Sequence, residues 1–490
     1  MRYMKKANSY KIHTAIGILF ILCLVSCTTG HQGIFHAFVN SPLLEGAHTG
    51  FAVKSLTDNR DLYAVNETKF FIPASNMKLF TTAAALVLLG PEFRFTTRVY
   101  TDGTLNEGVL RGNLFIKGVG DPTLSRRFHD GGAGRILTEW ADTLLRLGIK
   151  RITGDIVGDG SLFDDQYLGA GWSWDDEIHC YSAQVSALSF NDNGIKLVIS
   201  PAAEMGSPSV IETGPRTAFV TIANDVATVS SGEEASITFA RAAGTNVIKV
   251  AGRIGVGSAP HEACVSVHRP SLFAVTVFKE VLESKGIEIE KGVVAIGKSD
   301  QKPDYESMRI VASYDSPPLR EIIKHVNKSS HNLSAELLFR TLGSIFGGEG
   351  STDRSVRVIK EAVSEMGILP DQISIHDGSG LSRYNMVMPG HVMKLLEYMY
   401  AHPYFIYFYD SLPIAGAEGT GKRRMKDTEA EHQVRAKTGS FKHVLNLSGY
   451  ITTRNREMIA FSIMNNNLIG SVSELKKLQD GICATLWQLY

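Results

Sequence analysis

The sequence predicts a mixed α/β (α+β) protein in which one discontinuous domain encloses a long insertion. Three observations carry this expectation. Strand-like and helical segments alternate near both ends, whereas short strands, glycines and turns dominate the middle. The run Leu79 to Leu89 is uncharged and of helical length, and a helix without a polar face belongs in a core. The foreign texture spans roughly 200 residues, a length suited to one or two extra domains.

Taken in order, "IFHAFVNSPLL" reads as a short helix. "HTGFAVKSLTDNRDLYAVN" reads as two strands about the turn Asp58–Asn59. The buried helix opens at Ser75 and is stopped by Gly90 and Pro91. "RVYTDGTLNEGVLRGNLFIKG" is hairpin-like, with turn signals at Asp102–Gly103 and Asn106–Gly108. "ILTEWADTLLRLGIKRITGDIVGD" is a helix ending at Gly148 and leading into a strand. From Asn191 to Gly255 the chain is rich in Val, Ile, Thr and Ser, with the alternation of a small hairpin-built β module. "PSLFAVTVFKEVLESKGIEIEKGVV" returns to helix then strand, and from Ser316 helices resume. Strands are expected at Val434 to Phe441, Leu447 to Thr453 and Met458 to Met464. The last helix opens on the capping-box pair Ser471 and Glu474 and runs to Leu489.

The 490 residues carry 50 basic and 50 acidic side chains, so no global charge draws the chain to nucleic acid. The N-terminus differs from the rest. Arg2, Lys5, Lys6 and Lys11 precede the apolar run "TAIGILFILCLV", too short to span a bilayer but suited to an export signal. The run ends in "LVSC", which resembles a bacterial lipobox, with Cys27 as the lipidated residue and residues 1–27 as the signal segment. Thr28 follows Cys27, which by that resemblance favours an outer-membrane anchor in a Gram-negative host, facing the periplasm. Cys180, Cys264 and Cys483 remain, with no metal spacing among them; one disulfide is possible, between any two.

Near the start of the buried helix stands Lys78, three residues after Ser75. Residues at this spacing share a helix face. An apolar environment disfavours the charged amine, and a neutral amine is a general base for a neighbouring hydroxyl. The first turn of a helix also offers unpaired backbone N–H groups to an oxyanion. Ser-x-x-Lys recurs at Ser299–Lys302, in a polar loop, and at Ser473–Lys476, on a solvated helix face; only the first copy opens an apolar helix. Downstream lie Ser330-His331-Asn332 and Lys437-Thr438-Gly439, the latter after a strand, where a small glycine admits a close approach. Ser189-Phe190-Asn191 repeats the spacing of the former. The near P-loop "GAEGTGKR" ends in Arg423 where Mg²⁺ binding needs Ser or Thr, and no HExxH or GxSxG is present.

Ser-x-x-Lys, Ser-x-Asn and Lys-Thr-Gly in this order resemble the penicillin-binding proteins and serine β-lactamases. "GDPTLS", "ITGDIVGDGSLFD", "DGSGLSRYN" and "LPIAGAEGT" are similar to the low-molecular-mass class C group, D-alanyl-D-alanine carboxypeptidases and endopeptidases. The resemblance implies an antiparallel sheet flanked by helices, formed by residues 28–94 and 305–490. It places one inserted domain at 95–188 and 258–304 and a small β-rich one at 189–257. It implies that Ser75 forms an acyl-enzyme, that Lys78 takes its proton, and that Ser330 relays a proton to the leaving amine. Asn332 would hold the substrate amide and orient Lys78. Lys437 and Thr438 would bind the terminal carboxylate, Gly439 would let the substrate backbone approach, and the Ser440 N–H would complete the oxyanion hole with that of Ser75. The middle of the second motif is usually acidic or amide in this group and is His331 here. Asp176, Tyr181 and Arg383 match a side pocket suited to the ammonium and carboxylate of a diaminopimelate side chain, or form a structural ion pair. The expected substrates are peptidoglycan stem peptides and the expected covalent inhibitors β-lactams, with no cofactor. The competing readings are a β-lactamase-like hydrolase on the same fold and a non-catalytic lipoprotein that binds the cell wall.

Overall fold

The protein is described here by a computed structural model covering residues 30–490. The signal segment and Cys27 lie outside the described residues. The chain forms two compact units: one combines the described residues up to Leu79 with Met386–Tyr490, and the other is Phe80–Asn385.

The first unit is built on a five-stranded sheet, in the order Val434–Phe441, Val444–Thr452, Met458–Asn466, His48–Ser55, Arg60–Val65. Every neighbouring pair is antiparallel. The two strands after Val434–Phe441 are buried along almost their whole length, so both faces of the sheet are covered. Strand residues alternate between faces. Leu445, Leu447, Ile459, Phe461 and Ile463 pack with Leu475, Ile482 and Leu486 of the last helix, Val472–Leu489, and with Phe35 and Phe38 of the first helix, Gly30–Val39. The intervening Asn446, Ser448 and Tyr450 point the other way, where the Tyr450 hydroxyl donates to Leu396 O of the helix Pro389–Ala401 (2.8 Å). Ser471 caps the last helix by accepting from Glu474 N, at the expected position.

The helix expected from Ser75 departs from expectation in its first turn. Ala74–Asn76 is a 3₁₀ turn, and the α-helix proper runs Met77–Leu89.

The second unit carries a five-stranded mixed sheet, Val293–Ile296, Ile156–Asp159, Leu114–Lys117, Thr96–Thr101, Arg309–Asp315. Its core joins Trp140 and Leu144 of one helix to Phe273 and Phe278 of another. In the β-rich stretch, Thr221–Val229 pairs in parallel with Val247–Gly255, while Ser236–Arg241 pairs antiparallel with the same strand. Only the second pairing is a hairpin. Alternating exposure specifies one polar face per strand and leaves the direction of the partner open. Cys180 and Cys264 form a disulfide (Cα–Cα 5.7 Å), and Cys483 is a buried free thiol.

Candidate active site

In the first unit the Ser75 turn is held from below by amides and hydroxyls. Asn446 Nδ2 donates to Ile72 O (2.9 Å) and Pro73 O (2.8 Å). Asn466 Oδ1 accepts from Ile72 N (2.7 Å), and Asn76 Nδ2 donates to Ser448 Oγ (2.7 Å). Ser448 Oγ is in turn 3.0 Å from Ser462 Oγ. Apart from Asn76, these side chains come from two central, buried strands, where polar residues are otherwise out of place. The turn they hold is strained: Ala74, immediately before the serine, has φ +46°. A left-handed alanine costs about 1–2 kcal/mol, and such strain persists only where the surroundings over-determine it.

Ser75 is half-buried and Lys78 fully buried, and Lys78 Nζ donates to Ser75 Oγ at 3.0 Å. Lys437 is also fully buried, on the strand at the sheet edge, with Nζ 2.9 Å from Thr438 O. Burial first, and the positive charge of Lys78 second, hold the Lys437 ammonium well below the usual lysine range. Two buried ammonium groups that repel cannot both stay charged at the pH an isolated lysine would, so the pair gives up a proton nearer neutrality. A buried amine 3.0 Å from a serine hydroxyl at the opening of a helix is placed to act as a general base once it has lost its proton.

Gly439 is required by the chain's own packing. A Cβ there would lie 2.6 Å from Pro73 O and 3.1 Å from Asn76 Oδ1. The close approach anticipated for a ligand is made by the Ser75 turn itself. Thr438 Oγ1 donates to Thr420 Oγ1 (2.9 Å), which places the discarded P-loop look-alike beside this strand as a supporting loop. Ser440 is exposed and paired in register with Leu445.

In the second unit Ser330 forms the corner between the helices Leu319–Lys328 and Asn332–Gly347, with φ +56°. His331 is the N-cap of the second helix, its Nδ1 accepting from Ser334 N (3.3 Å) and lying 2.7 Å from Ser334 Oγ. An acidic or amide residue would fill the same capping role. Asn332 Nδ2 donates to Tyr181 O (2.7 Å), and the Tyr181 hydroxyl donates to Asp176 Oδ1 (2.6 Å), so these three side-pocket and motif residues meet. The disulfide next to Tyr181 anchors this stretch to the strand His261–Ser266. Arg383 is exposed in the loop that follows the turn of "DGSGLS", with its N–H 3.5 Å from Gly171 O. That loop is ordered by Asp377, which accepts from Gly380 N, Ser382 N, Asn385 Nδ2 and Trp172 Nε1.

The two other Ser-x-x-Lys copies are exposed at all four positions. The residues that sequence reasoning missed are Asn446, Ser448, Ser462 and Asn466, which support the serine turn, and Asp192, which faces His331 at 3.8 Å. A signal existed for Asn466 alone: "MNNN" closes a strand whose other residues are apolar except Ser462.

A helix-opening serine in contact with a buried lysine, and a second buried lysine on the edge strand of an antiparallel sheet, define the class: a serine acyl-transfer enzyme on the penicillin-binding fold. Residues 33–488 match the D-Ala-D-Ala carboxypeptidase 3 (S13) family, and the chain belongs to that family of serine peptidases. It is 34% identical over 461 residues to a D-alanyl-D-alanine carboxypeptidase of Actinomadura sp. (strain R39), a match covering 92% of this chain and 83% of the relative. It resembles the crystal structure of penicillin binding protein 4 (dacB) from Haemophilus influenzae with TM-score 0.80 and 27% identity, covering 92% of this chain and 99% of that one. The same protein complexed with a novel β-lactam gives TM-score 0.74 and 25% identity over 90% of this chain and 97% of that chain.

Proposed function

We propose that Ser75 is the nucleophile of a D-Ala-D-Ala carboxypeptidase and DD-endopeptidase that acts on peptidoglycan stem peptides and is inhibited covalently by β-lactams. The carrying observation is the 3.0 Å contact between Lys78 Nζ and Ser75 Oγ inside full burial of the lysine. Ser75 Oγ attacks the carbonyl between two D-residues as its proton passes to Lys78 Nζ. The C–N bond then breaks, the leaving amine takes a proton, and an ester remains on Ser75. Water cleaves the ester and restores the hydroxyl. The Ser75 and Ser440 N–H groups would hold the oxyanion. An incoming carboxylate would supply a counter-charge for Lys437, so that on binding Lys437 would take a proton from solvent while Lys78 remains the base. Thr438 completes the carboxylate site. The motif set assigns proton relay to Ser330, the substrate amide to Asn332, and the third-residue side chain of the stem peptide to Asp176, Tyr181 and Arg383.

Export to the periplasm, with Cys27 carrying a lipid anchor, belongs to the same proposal. The lipobox pattern supports it, as does the Cys180–Cys264 disulfide, since such bonds persist in oxidising compartments.

A β-lactam keeps its leaving amine tethered through the opened ring, so acylation adds the whole drug to the protein. The test is intact mass after incubation with benzylpenicillin, for wild type and Ser75→Ala. The expected result is a stable penicilloyl adduct on wild type alone. Rapid drug loss without an adduct, abolished by Ser75→Ala, would establish the β-lactamase-like reading. A folded protein that neither binds nor consumes the drug would leave only the binding lipoprotein.

A further inference from the structure

We infer that His331, steadied by Asp192, is a positioning residue for the Ser330–Asn332 corner, and that it holds this corner only while its imidazole is neutral. The inference rests on the function proposed above and names a control built into its second motif.

The geometry gives the two ring nitrogens different duties. Nδ1 accepts the Ser334 N–H and so must be unprotonated, which leaves the ring proton of the neutral form on Nε2. Nε2 points to Asp192 Oδ2, 3.8 Å away. Ser330 is left-handed, and His331 N closes the preceding helix on Val326 O (3.1 Å). Loss of the cap releases the helix end that carries Asn332, and with it the 2.7 Å bond from Asn332 to Tyr181 O.

Asp192 is placed for this contact at some cost. It is the middle of three consecutive left-handed residues, Asn191, Asp192 and Asn193, all buried. Ser125 Oγ and Arg127 Nε each donate to its carboxylate at 2.6 Å. Burial alone would raise its pKa, but the charges of His331 and Arg127 and these hydrogen bonds outweigh burial and hold it below the usual carboxylate range. The motif "GDPTLS" and the decoy "SFN" therefore converge on one carboxylate beside the true Ser-x-Asn.

Protonation reverses the arrangement. An imidazolium Nδ1 donates and cannot accept, so the Ser334 N–H loses its partner. The ring's positive charge then faces the positive end of the helix and is drawn toward Asp192. His325 also faces His331, with ring centroids 5.2 Å apart, and Arg127 shares the Asp192 carboxylate with His331. His325 is held neutral by burial first and by His331 and Arg127 next, its pKa pushed down to about 3, so it does not share the titration.

The test is the rate of Ser75 acylation by benzylpenicillin between about pH 5 and 8.5, the range in which histidine titrates. His331→Asn keeps a capping acceptor at every pH. It is expected to match wild type at pH 8.5 within about threefold and to fall less than wild type on the acid side, keeping only the limb that the lysine pair sets. His331→Ala should be slower by about fivefold even at pH 8.5. Asp192→Asn, which removes the counter-charge, should move the acid limb to lower pH. An acid limb in His331→Asn that superimposes on wild type would overturn the inference while leaving acylation itself intact. No adduct on wild type at any pH would overturn the proposed function first. Should the variants not fold, the ¹⁵N shifts of the wild-type ring decide: an unprotonated Nδ1 at pH 8.5 is expected, and a protonated Nδ1 in the neutral ring overturns the inference.

Discussion

The Ser75 turn and the Ser330 corner are both strained backbone carrying a serine, yet different chemistry supports them. Under Ser75 the supports are neutral: Asn446, Asn466 and Ser448 hold Ile72, Pro73 and Asn76. Beside Ser330 they are ionisable: His331, Asp192 and Arg127. Neutral amides hydrogen-bond alike at every pH, whereas the second set changes with each proton gained. The Ser75 turn is therefore insulated from pH, and the Ser330 corner is exposed to it. The titration needed near Ser75 is confined to the two buried lysines.

The largest expected effect comes from separating the turn from its strand. In Gly439→Ala the new Cβ meets Pro73 O at 2.6 Å, a backbone atom that cannot swing away. Strand and turn must part, and a displacement near 1 Å at reacting groups costs on the order of 100-fold in rate. We predict loss of acylation by about that factor, with a similar fold-loss at pH 6 and 8.5. The check is the acylation rate at both pH values. A loss confined to one of them would mean that Gly439 disturbs lysine titration rather than turn position.

A smaller effect is expected from removing the amide clamp. Asn446→Leu takes one donor from Ile72 O and Pro73 O, which keep Asn466 Nδ2 and Asn76 N, and removes the Oδ1 acceptor of the buried Asn465 N; losing these buried hydrogen bonds costs about 1–3 kcal/mol. The prediction is destabilisation of that order in denaturant unfolding, independent of pH, with acylation slowed about tenfold as the turn relaxes. A stability loss that grows toward acid would break the contrast between the two regions.

What could be read in the sequence follows the same division. Lys78 stood out because a charge in an apolar helix violates periodicity, and Lys437 because its triplet follows a strand of regular alternation. The last helix announced itself by Ser471 and Glu474. Each of these signals is local. The asparagine clamp joins residues nearly 400 positions apart in the chain, such as Ile72 and Asn466, and nothing in the neighbourhood of either encodes the other. Ala74 could not be read as left-handed, because alanine is the residue least suggestive of that conformation. The partner of Cys180 and the parallel direction of Thr221–Val229 were silent for the same reason: both are decided by distant segments. Ser189-Phe190-Asn191 was legible as a decoy, but not as the holder of the carboxylate beside His331.

The smallest predicted effect sharpens the contrast within the second unit, where buried acids beyond Asp192 also titrate. Glu336 accepts from Gly378 N and Ser379 N, and burial first, then the charge of Asp377, raise its pKa to about 7. Burial likewise raises Asp121 to about 6, against the hydrogen bonds from Thr123 and Thr97. A carboxyl raised in the folded state binds its proton more tightly there than in the unfolded chain. Its stabilising contribution is whole below the unfolded value, 4.5 for Glu336 and 3.8 for Asp121, and is lost as the pH climbs through 7 and 6. Asp192 has the opposite sign, so its contribution disappears only when the pH falls through its lowered value. Through these windows Glu336 and Asp121 subtract stability as the pH rises, while the amide-supported turn of the first unit contributes no such slope. Glu336→Gln keeps an acceptor for the Gly378 and Ser379 N–H groups and removes the charge. We predict a thermal midpoint equal to wild type near pH 4.5 and a few degrees higher near pH 8, a gain on the order of 1–2 kcal/mol. Parallel midpoints across the whole range would mean that Glu336 is ionised throughout and that the Gly378–Ser379 turn is held by a carboxylate, not by a carboxylic acid.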